Sequence, residues 1–258
     1  MTGQVRLDID AAIARITIAN PAKLNALTFA MYENLVDACR RLARATEVRA
    51  TVLRGEGGRA FAAGTDIGEF ATFAGADDGI EYERRTAAVL DAFAAIPVPV
   101  IAAVEGPAAG GGLALVLCCD VVMAREDATF AAPVAKTLGN CLSPLAIGRL
   151  YASIGRARAR ALLSTAGVVD APTAQAWGLV TEVIPADRFD ERVEETASRV
   201  ASLAPRTQWA HKEIDRRLMR VFDAVHADDI YAACYGSADF HEGVRAFLAK
   251  RRPVWSGQ

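Results

Sequence analysis

Three consecutive glycines stand in front of a fully apolar segment and form the strongest chemical signal in the sequence. Gly110, Gly111 and Gly112 follow a predicted strand and precede residues 113–119, which carry only leucine, alanine, valine and cysteine side chains. A helix that begins here would aim main-chain N–H groups and its positive dipole end into the protein interior, where an anion or oxyanion could bind. The same glycines would equally permit close packing of a helix on a sheet.

Several known templates for such a turn do not match. Residues 106–112 have no G-x-G-x-x-G register and no Lys-Ser/Thr pair, which argues against a nicotinamide cofactor and against a nucleotide phosphate. The chain has no G-x-S-x-G elbow and no H-E-x-x-H motif. His211, His226 and His241 lack the spacing of metal ligands, so no metal site is predicted.

A second candidate loop lies earlier in the chain. Residues 55–58 (GEGG) are predicted to form a flexible loop ahead of residues 61–66 (FAAGTD), which contain Thr65.

The elements that must position these loops alternate between strand and helix. Alternating or β-branched runs predict strands, and 3.6-residue periodicity predicts helices, with Thr28 as an N-cap. The predicted strands are 12–19, 48–53, 98–104, 121–123 and 180–184. One helix is predicted to begin at 110–112, and the other predicted helices are 27–45, 80–95, 144–154, 157–166, 171–177, 188–203 and 207–225. This order predicts an α/β core with an α-helical tail that is not Rossmann-like.

Composition bounds the class of protein. The 258 residues are 52% hydrophobic and 23% charged, which predicts a folded chain, and the net charge of −2 argues against nucleic acid as a partner.

Five cysteines without a CxxC pair indicate a reducing, cytoplasmic setting. Residues 1–10 do not resemble an export signal. The apolar stretches 86–104 and 106–124 are interrupted by prolines or glycines, so we interpret them as buried elements and expect no membrane span.

Four collinear motifs resemble those of the crotonase family, the enoyl-CoA hydratase/isomerase superfamily. They are residues 20–27 (NPAKLNAL), 61–67 (FAAGTDI), 102–120 (AAVEGPAAGGGLALVLCCD) and 237–248 (SADFHEGVRAFL). The resemblance implies an α/β fold with a ββα spiral core over residues 1–200 and a C-terminal α-helical trimerisation region over residues 201–258. It also implies an acyl-CoA thioester as partner, a homotrimer or a hexamer built as a dimer of trimers, and no cofactor beyond the coenzyme A of the substrate.

The resemblance further assigns site residues. The main-chain N–H groups of Thr65 and Gly111 would form an oxyanion hole for the thioester oxygen, where a fixed donor contributes roughly 2.7–4 kcal/mol to an enolate. Coenzyme A would be bound at its adenine end by the main chain around Ala63 and Ile67, with Lys23 and Leu24 lining the entrance. Phe247 and Lys250 would come from the tail of a neighbouring subunit.

The sequence departs from the family pattern at the acid–base groups. Ala114 and Val134 stand where the family's hydratases carry two glutamates. Asn140 and Cys141 are the tentative local replacements. Asp66 and Glu69 are alternatives, but Asp66 is expected to cap the following helix and Glu69 to face water, and Glu105 is expected to be structural. Two hypotheses therefore remain: a lyase or isomerase that stabilises a thioester enolate, by a reaction left open, or a non-catalytic acyl-CoA-binding protein.

Overall fold

The computed structural model describes residues 3–258 apart from the side chain of Asp223, so Met1 and Thr2, the first residues of the predicted 1–200 core, lie outside the described residues. A six-stranded sheet has the order β1-β2-β3-β4-β6-β9, with β1 and β2 antiparallel and every later neighbour parallel. A second sheet has the order β5-β7-β8. The strands are β1 (Gln4–Asp10), β2 (Ile13–Ala19), β3 (Ala50–Gly55), β4 (Val100–Val104), β5 (Pro107–Ala109), β6 (Val121–Arg125), β7 (Thr129–Ala131), β8 (Val168–Asp170) and β9 (Glu182–Ile184).

Eleven α-helices within the described residues surround the sheets. They are α1 (Phe29–Leu42), α2 (Ala76–Ala94), α3 (Gly111–Val116), α4 (Val134–Thr137), α5 (Pro144–Ile154), α6 (Arg156–Thr165), α7 (Ala171–Trp177), α8 (Phe189–Ala201), α9 (Pro205–Asp223), α10 (Asp228–Tyr235) and α11 (Ala238–Leu248). Helices alone follow β9, as the sequence predicts.

Strand β4 shows how the sheet separates two apolar layers. All five of its residues are buried, as expected of a parallel strand covered on both faces. Val100, Ala102 and Val104 belong to one apolar cluster, whereas Ile101 and Ala103 join Phe189, Val193 and other residues of α8 in another. The alternation follows from the two-residue period of a strand.

The C-terminal helices pack on the first cluster. Tyr231, Tyr235, Phe240 and Val244 are buried in the same apolar cluster as the strands of the main sheet. The boundary between 1–200 and 201–258 therefore remains a prediction, although the helical character of the second segment is confirmed.

Most predicted elements are confirmed, and the differences are local. The Thr28 side chain caps α1 by accepting a hydrogen bond from the main-chain N–H of Met31 at 3.2 Å. The loop predicted to be flexible contains an ordered 3₁₀ turn at Glu56–Gly58. Strand β1 was not predicted, because its outer face is exposed and only its pairing with β2 reveals it.

Both apolar stretches fold into protein elements, as expected. None of the helices in the described part of the chain is long and apolar enough to cross a membrane.

Candidate active site

A cavity of about 730 Å³ lies between the glycine turn, α2 and the C-terminal tail. Its wall is largely apolar, with side chains such as Phe70, Leu90 and Leu142. All ten residues that the sequence analysis assigned to the site lie on this wall, namely Lys23, Leu24, Ala63, Thr65, Ile67, Gly111, Asn140, Cys141, Phe247 and Lys250. The fold thus brings together segments from both ends of the chain.

The main-chain N–H groups of Thr65 and Gly111 lie close to each other. The loop that carries Thr65 is fixed to Leu27, which donates to the carbonyl of Gly64 and accepts from the N–H of Asp66, each at 2.8 Å. Gly111 is the first residue of α3, and a Cβ placed on it would lie 3.8 Å from the nitrogen of Thr65. Neither amide has an acceptor among residues 3–258, so both donors remain available to a ligand.

Two buried tyrosines fix the Thr65 side chain. Its Oγ1 is 2.7 Å from the hydroxyl of Tyr32 and 2.6 Å from the hydroxyl of Tyr82. Burial raises the pKa of Tyr32 to about 12 and the pKa of Tyr82 well above its usual value, so both hydroxyls stay protonated at neutral pH. The Thr65 hydroxyl is therefore occupied by the two tyrosines, and the main-chain N–H is the group of this residue that can donate to a ligand.

The positions at which the resemblance expects glutamates are also on the wall. Ala114 on α3 and Val134 on α4 both line the cavity. Neither side chain can transfer a proton, so any acid–base group must come from another part of the wall.

A buried carboxyl group that the sequence analysis missed lies on the same wall. Glu83 of α2 is 5% exposed, and its Oε1 accepts a hydrogen bond from the hydroxyl of Tyr235. Asn140 Nδ2 in turn donates to the Tyr235 hydroxyl at 3.2 Å. Burial raises the pKa of Glu83 to about 7, although the hydrogen bonds from Tyr235 and Thr86 act in the opposite direction. This carboxyl group can therefore take up or release a proton near neutral pH.

The signal for Glu83 was present in the helical periodicity. Residues 79, 82, 83, 89, 90 and 93 of α2 are buried, so an acidic residue shares the inward face of an amphipathic helix. An acid on such a face is unusual unless it is paired or functional.

Asp66 has the capping role that the sequence analysis expected, whereas Glu69, which was expected to face water, accepts a main-chain hydrogen bond. Asp66 Oδ1 accepts from the N–H of Gly68 at 3.1 Å, and its Oδ2 forms an ion pair with Lys23 Nζ at 2.5 Å. The pKa of Lys23 is raised by this hydrogen bond and charge. Glu69 Oε2 accepts from the N–H of Phe29 at the start of α1, at 3.1 Å.

Glu105 also has a structural environment. It is buried and forms ion pairs with Arg54 at 2.8 Å and with Arg125 at 2.9 Å. It does not line the cavity.

The two tentative candidates differ in what they contribute. Asn140 has a buried Oδ1 without a hydrogen-bond partner in residues 3–258, while its Nδ2 supports Tyr235. The pKa of Cys141 is raised, first by burial and then by the neighbouring Cys234 and Glu83. Because nucleophilic cysteines need a lowered pKa, the Cys141 thiol has the properties of an apolar wall residue.

The C-terminal tail lies on the cavity of its own chain. Phe247 and Lys250, which were expected from a neighbouring subunit, line the same cavity as Lys23 and Leu24 of this chain. The reason is local packing: α11 lies against the 3₁₀ segment Ile67–Thr72, with Phe240 5.9 Å from Phe70 between ring centroids. The expectation that a neighbouring subunit supplies its tail to this cavity stays a prediction.

The chain is similar to known proteins over nearly its whole length. The family model described as enoyl-CoA hydratase/isomerase matches residues 8–258. The 2,3-dehydroadipyl-CoA hydratase of Escherichia coli is 35% identical over 94% of each chain. The crystal structure of an enoyl-CoA hydratase from Mycobacterium avium subsp. paratuberculosis superposes with a TM-score of 0.86, at 30% identity over 98% of each chain. A methylmalonyl-CoA decarboxylase bound to 2-nitronate-propionyl-CoA superposes with a TM-score of 0.88, at 28% identity over 98% of each chain.

The chain therefore belongs to the enoyl-CoA hydratase/isomerase family and has the crotonase fold. It is an enzyme of this family, in which hydratases and a decarboxylase share one fold, so the fold alone leaves the reaction unspecified.

Proposed function

We propose that the protein acts on an acyl-CoA thioester and stabilises its enolate with the main-chain N–H groups of Thr65 and Gly111. The observation that carries this proposal is the pair of adjacent amides without acceptors on the wall of an apolar cavity. Removal of a proton from the α-carbon places negative charge on the thioester oxygen, and two fixed donors stabilise that charge.

Coenzyme A would enter between the first motif and the tail. The main chain around Ala63 and Ile67 would bind its adenine end, and Lys23 and Leu24 would line the entrance. Phe247 and Lys250 would close the other side. A lysine ammonium group suits phosphate as a point charge, which supports this assignment for Lys250. The substrate brings its own coenzyme A, and the proposed reaction needs no metal or further cofactor.

The protein would form a trimer or a hexamer through the C-terminal region. An apolar stripe on α9 supports this, since Ile214, Leu218 and Val221 follow helical spacing and are 56–65% exposed. The five free cysteines support the cytoplasmic location proposed from the sequence.

The alternative is a protein that binds acyl-CoA without turning it over. Ala114 and Val134 on the cavity wall favour it, because they cannot transfer protons. The buried carboxyl group of Glu83 on the same wall favours an enzyme.

Gly111→Ala tests the proposed oxyanion hole. The added methyl would lie 2.6 Å from the Tyr32 hydroxyl, so either that hydroxyl or the start of α3 must shift. Because the hydroxyl is buried and hydrogen-bonded to Thr65, we expect the amide of residue 111 to be displaced. Because loss of one such donor costs about 10²–10³ in kcat, we expect a decrease of that order in the turnover of enoyl-, 3-hydroxyacyl- or malonyl-type CoA thioesters followed by mass spectrometry.

Two control variants test whether the loss of turnover comes from the displaced amide of residue 111. Gly75→Ala adds a methyl with no atom within 4 Å and should retain full activity. Tyr32→Phe combined with Gly111→Ala removes the clashing hydroxyl and should restore part of the rate. Binding without turnover by the unmodified protein would favour the non-catalytic alternative, and absence of binding to all thioesters would refute both.

A further inference from the structure

We propose that Glu83 is the proton-transfer group of this site and that Tyr235 positions its carboxyl group. The inference rests on the proposed function, because it requires a thioester held at Thr65 and Gly111. It assigns to α2 the acid–base role for which Ala114 and Val134 have no suitable side chain.

Elimination on the cavity wall leads to Glu83. Among the described residues that line the cavity, the carboxyl groups are those of Asp66 and Glu83. Asp66 is occupied by Lys23 and by the N–H of Gly68. Glu83 has no cationic partner among the described residues, and it lines the same cavity as Ala114.

The carboxyl group is held in one orientation. The hydroxyl of Tyr235 donates to Glu83 Oε1, and Asn140 Nδ2 donates to that hydroxyl at 3.2 Å. The Tyr235 ring lies directly on α2, since a Cβ on Gly79 would be 2.1 Å from its Cγ. The hydrogen-bonded chain from Asn140 through Tyr235 therefore holds Oε1 in place at the wall of the cavity.

The groups around Glu83 are neutral at the working pH. The titratable side chains that interact with it come from three helices and the loop before α5: Tyr32, Tyr82, Tyr231, Tyr235 and Cys141. Burial raises the pKa of each of them, so none carries a charge near pH 7. Glu83 is thus the group of this cluster that changes charge near neutrality.

One carboxyl group is sufficient for a proton shift. In a 3-enoyl thioester, the Glu83 carboxylate takes a proton from C2, and the C–H electron pair forms a dienolate whose charge lies on the thioester oxygen. The Glu83 carboxylic acid then returns the proton to C4, the C2–C3 double bond forms, and the thioester carbonyl is restored. Hydration would require a second group to activate water, so the geometry points to double-bond isomerisation or α-proton exchange.

The test compares Glu83→Gln with Glu81→Gln. Glu81 lies on the same helix but is exposed and pairs with Arg85, so its change is a matched control. With 3-hexenoyl-CoA in D₂O, mass spectrometry follows both formation of 2-hexenoyl-CoA and deuterium uptake. We expect Glu83→Gln to lower both rates by about 10²–10⁴-fold, the usual contribution of a general acid–base group, and Glu81→Gln to retain them.

Tyr235→Phe tests the positioning role separately. Because it removes a donor that favours the ionised carboxyl group, the inflection of the pH–rate profile should move to higher pH while the protein stays active. A merely structural role would lower the rate without moving the inflection.

Calorimetric titration with hexanoyl-CoA separates the two proposals. Retained binding by Glu83→Gln with loss of exchange supports the inference. Two results would overturn the role of Glu83 and leave thioester binding intact. In the first, all variants bind hexanoyl-CoA and Glu83→Gln exchanges deuterium at an unchanged rate. In the second, all variants bind hexanoyl-CoA and the unmodified protein shows no exchange. Absence of binding by the unmodified protein overturns the proposed function and this inference together.

Discussion

At the scale of residues, Glu83 is costly to the folded state. Its pKa rises from 4.5 to about 7 on burial. Between these two values the folded chain keeps the proton that the unfolded chain releases, so stability decreases as pH rises through this window and levels off above it. The protein therefore retains a destabilising group in the wall of its cavity, which is typical of functional sites.

Glu83→Gln should remove this pH dependence. Glutamine keeps the acceptor for Tyr235 and cannot ionise, so the difference in unfolding free energy between variant and unmodified protein should grow by about 3 kcal/mol in favour of the variant from pH 4.5 to pH 8. Urea unfolding at several pH values measures it. Parallel pH dependences for the two proteins would contradict the raised pKa.

The candidate site could be predicted from sequence only where its residues lie in local motifs. Thr65 and Gly111 stand in glycine turns whose main-chain geometry is encoded within a few residues. The contact between Glu83 and Tyr235 spans 152 positions, and the burial that shifts the pKa of Glu83 depends on how α2 and α10 pack. Helical periodicity places Glu83 on the inward face of α2, but no local pattern contains its contact with Tyr235.

At the scale of elements, α2 meets α10 at a glycine. Gly79 is buried, and its missing side chain leaves room for the Tyr235 ring. This close approach brings the tyrosine hydroxyl within reach of Glu83, one helical turn further along.

Gly79→Ala should destabilise the protein despite the better helix propensity of alanine. The methyl would meet Tyr235 ring atoms at 2.1–2.6 Å, and such overpacking costs roughly 1–3 kcal/mol, whereas alanine in a helix gains about 1 kcal/mol over glycine. A lower melting temperature by calorimetry is the expected result, with Gly75→Ala as the control. Equal or higher stability would show that α10 can move away at no cost.

Element length decided which parts of the fold the sequence could predict. The long amphipathic helices and the buried strands of the main sheet have clear periodicity, as in α5 and β4. Strands β5, β7 and β8 have three residues each, which is too short for any period to be visible. The equally short β9 could be predicted because it lies in the β-branched run 180–184. They form only because the turns around them bring them side by side.

At the scale of the whole molecule, the apolar stripe on α9 needs a partner surface. Its leucine and valine side chains at positions 218 and 221 are each 65% exposed. Exposed apolar area of this kind is typical of contacts between subunits.

Leu218→Glu should weaken the proposed trimer. A charge in the middle of the stripe must be desolvated on association, so light scattering after size-exclusion chromatography should show a shift from three chain masses towards one. Ala161→Glu, an equal charge change at an exposed position of α6, should leave the mass unchanged. A monomeric unmodified protein would contradict the trimer itself.

The tail that covers the cavity belongs to the same polypeptide as the rest of the wall. Phe247 and Lys250 line the same cavity as Lys23 and Leu24. If the tail keeps this position in the proposed trimer, each subunit is complete without its neighbours. Mixing intact chains with inactivated ones should give activity in simple proportion to the intact fraction, and two differently damaged chains should fail to complement each other.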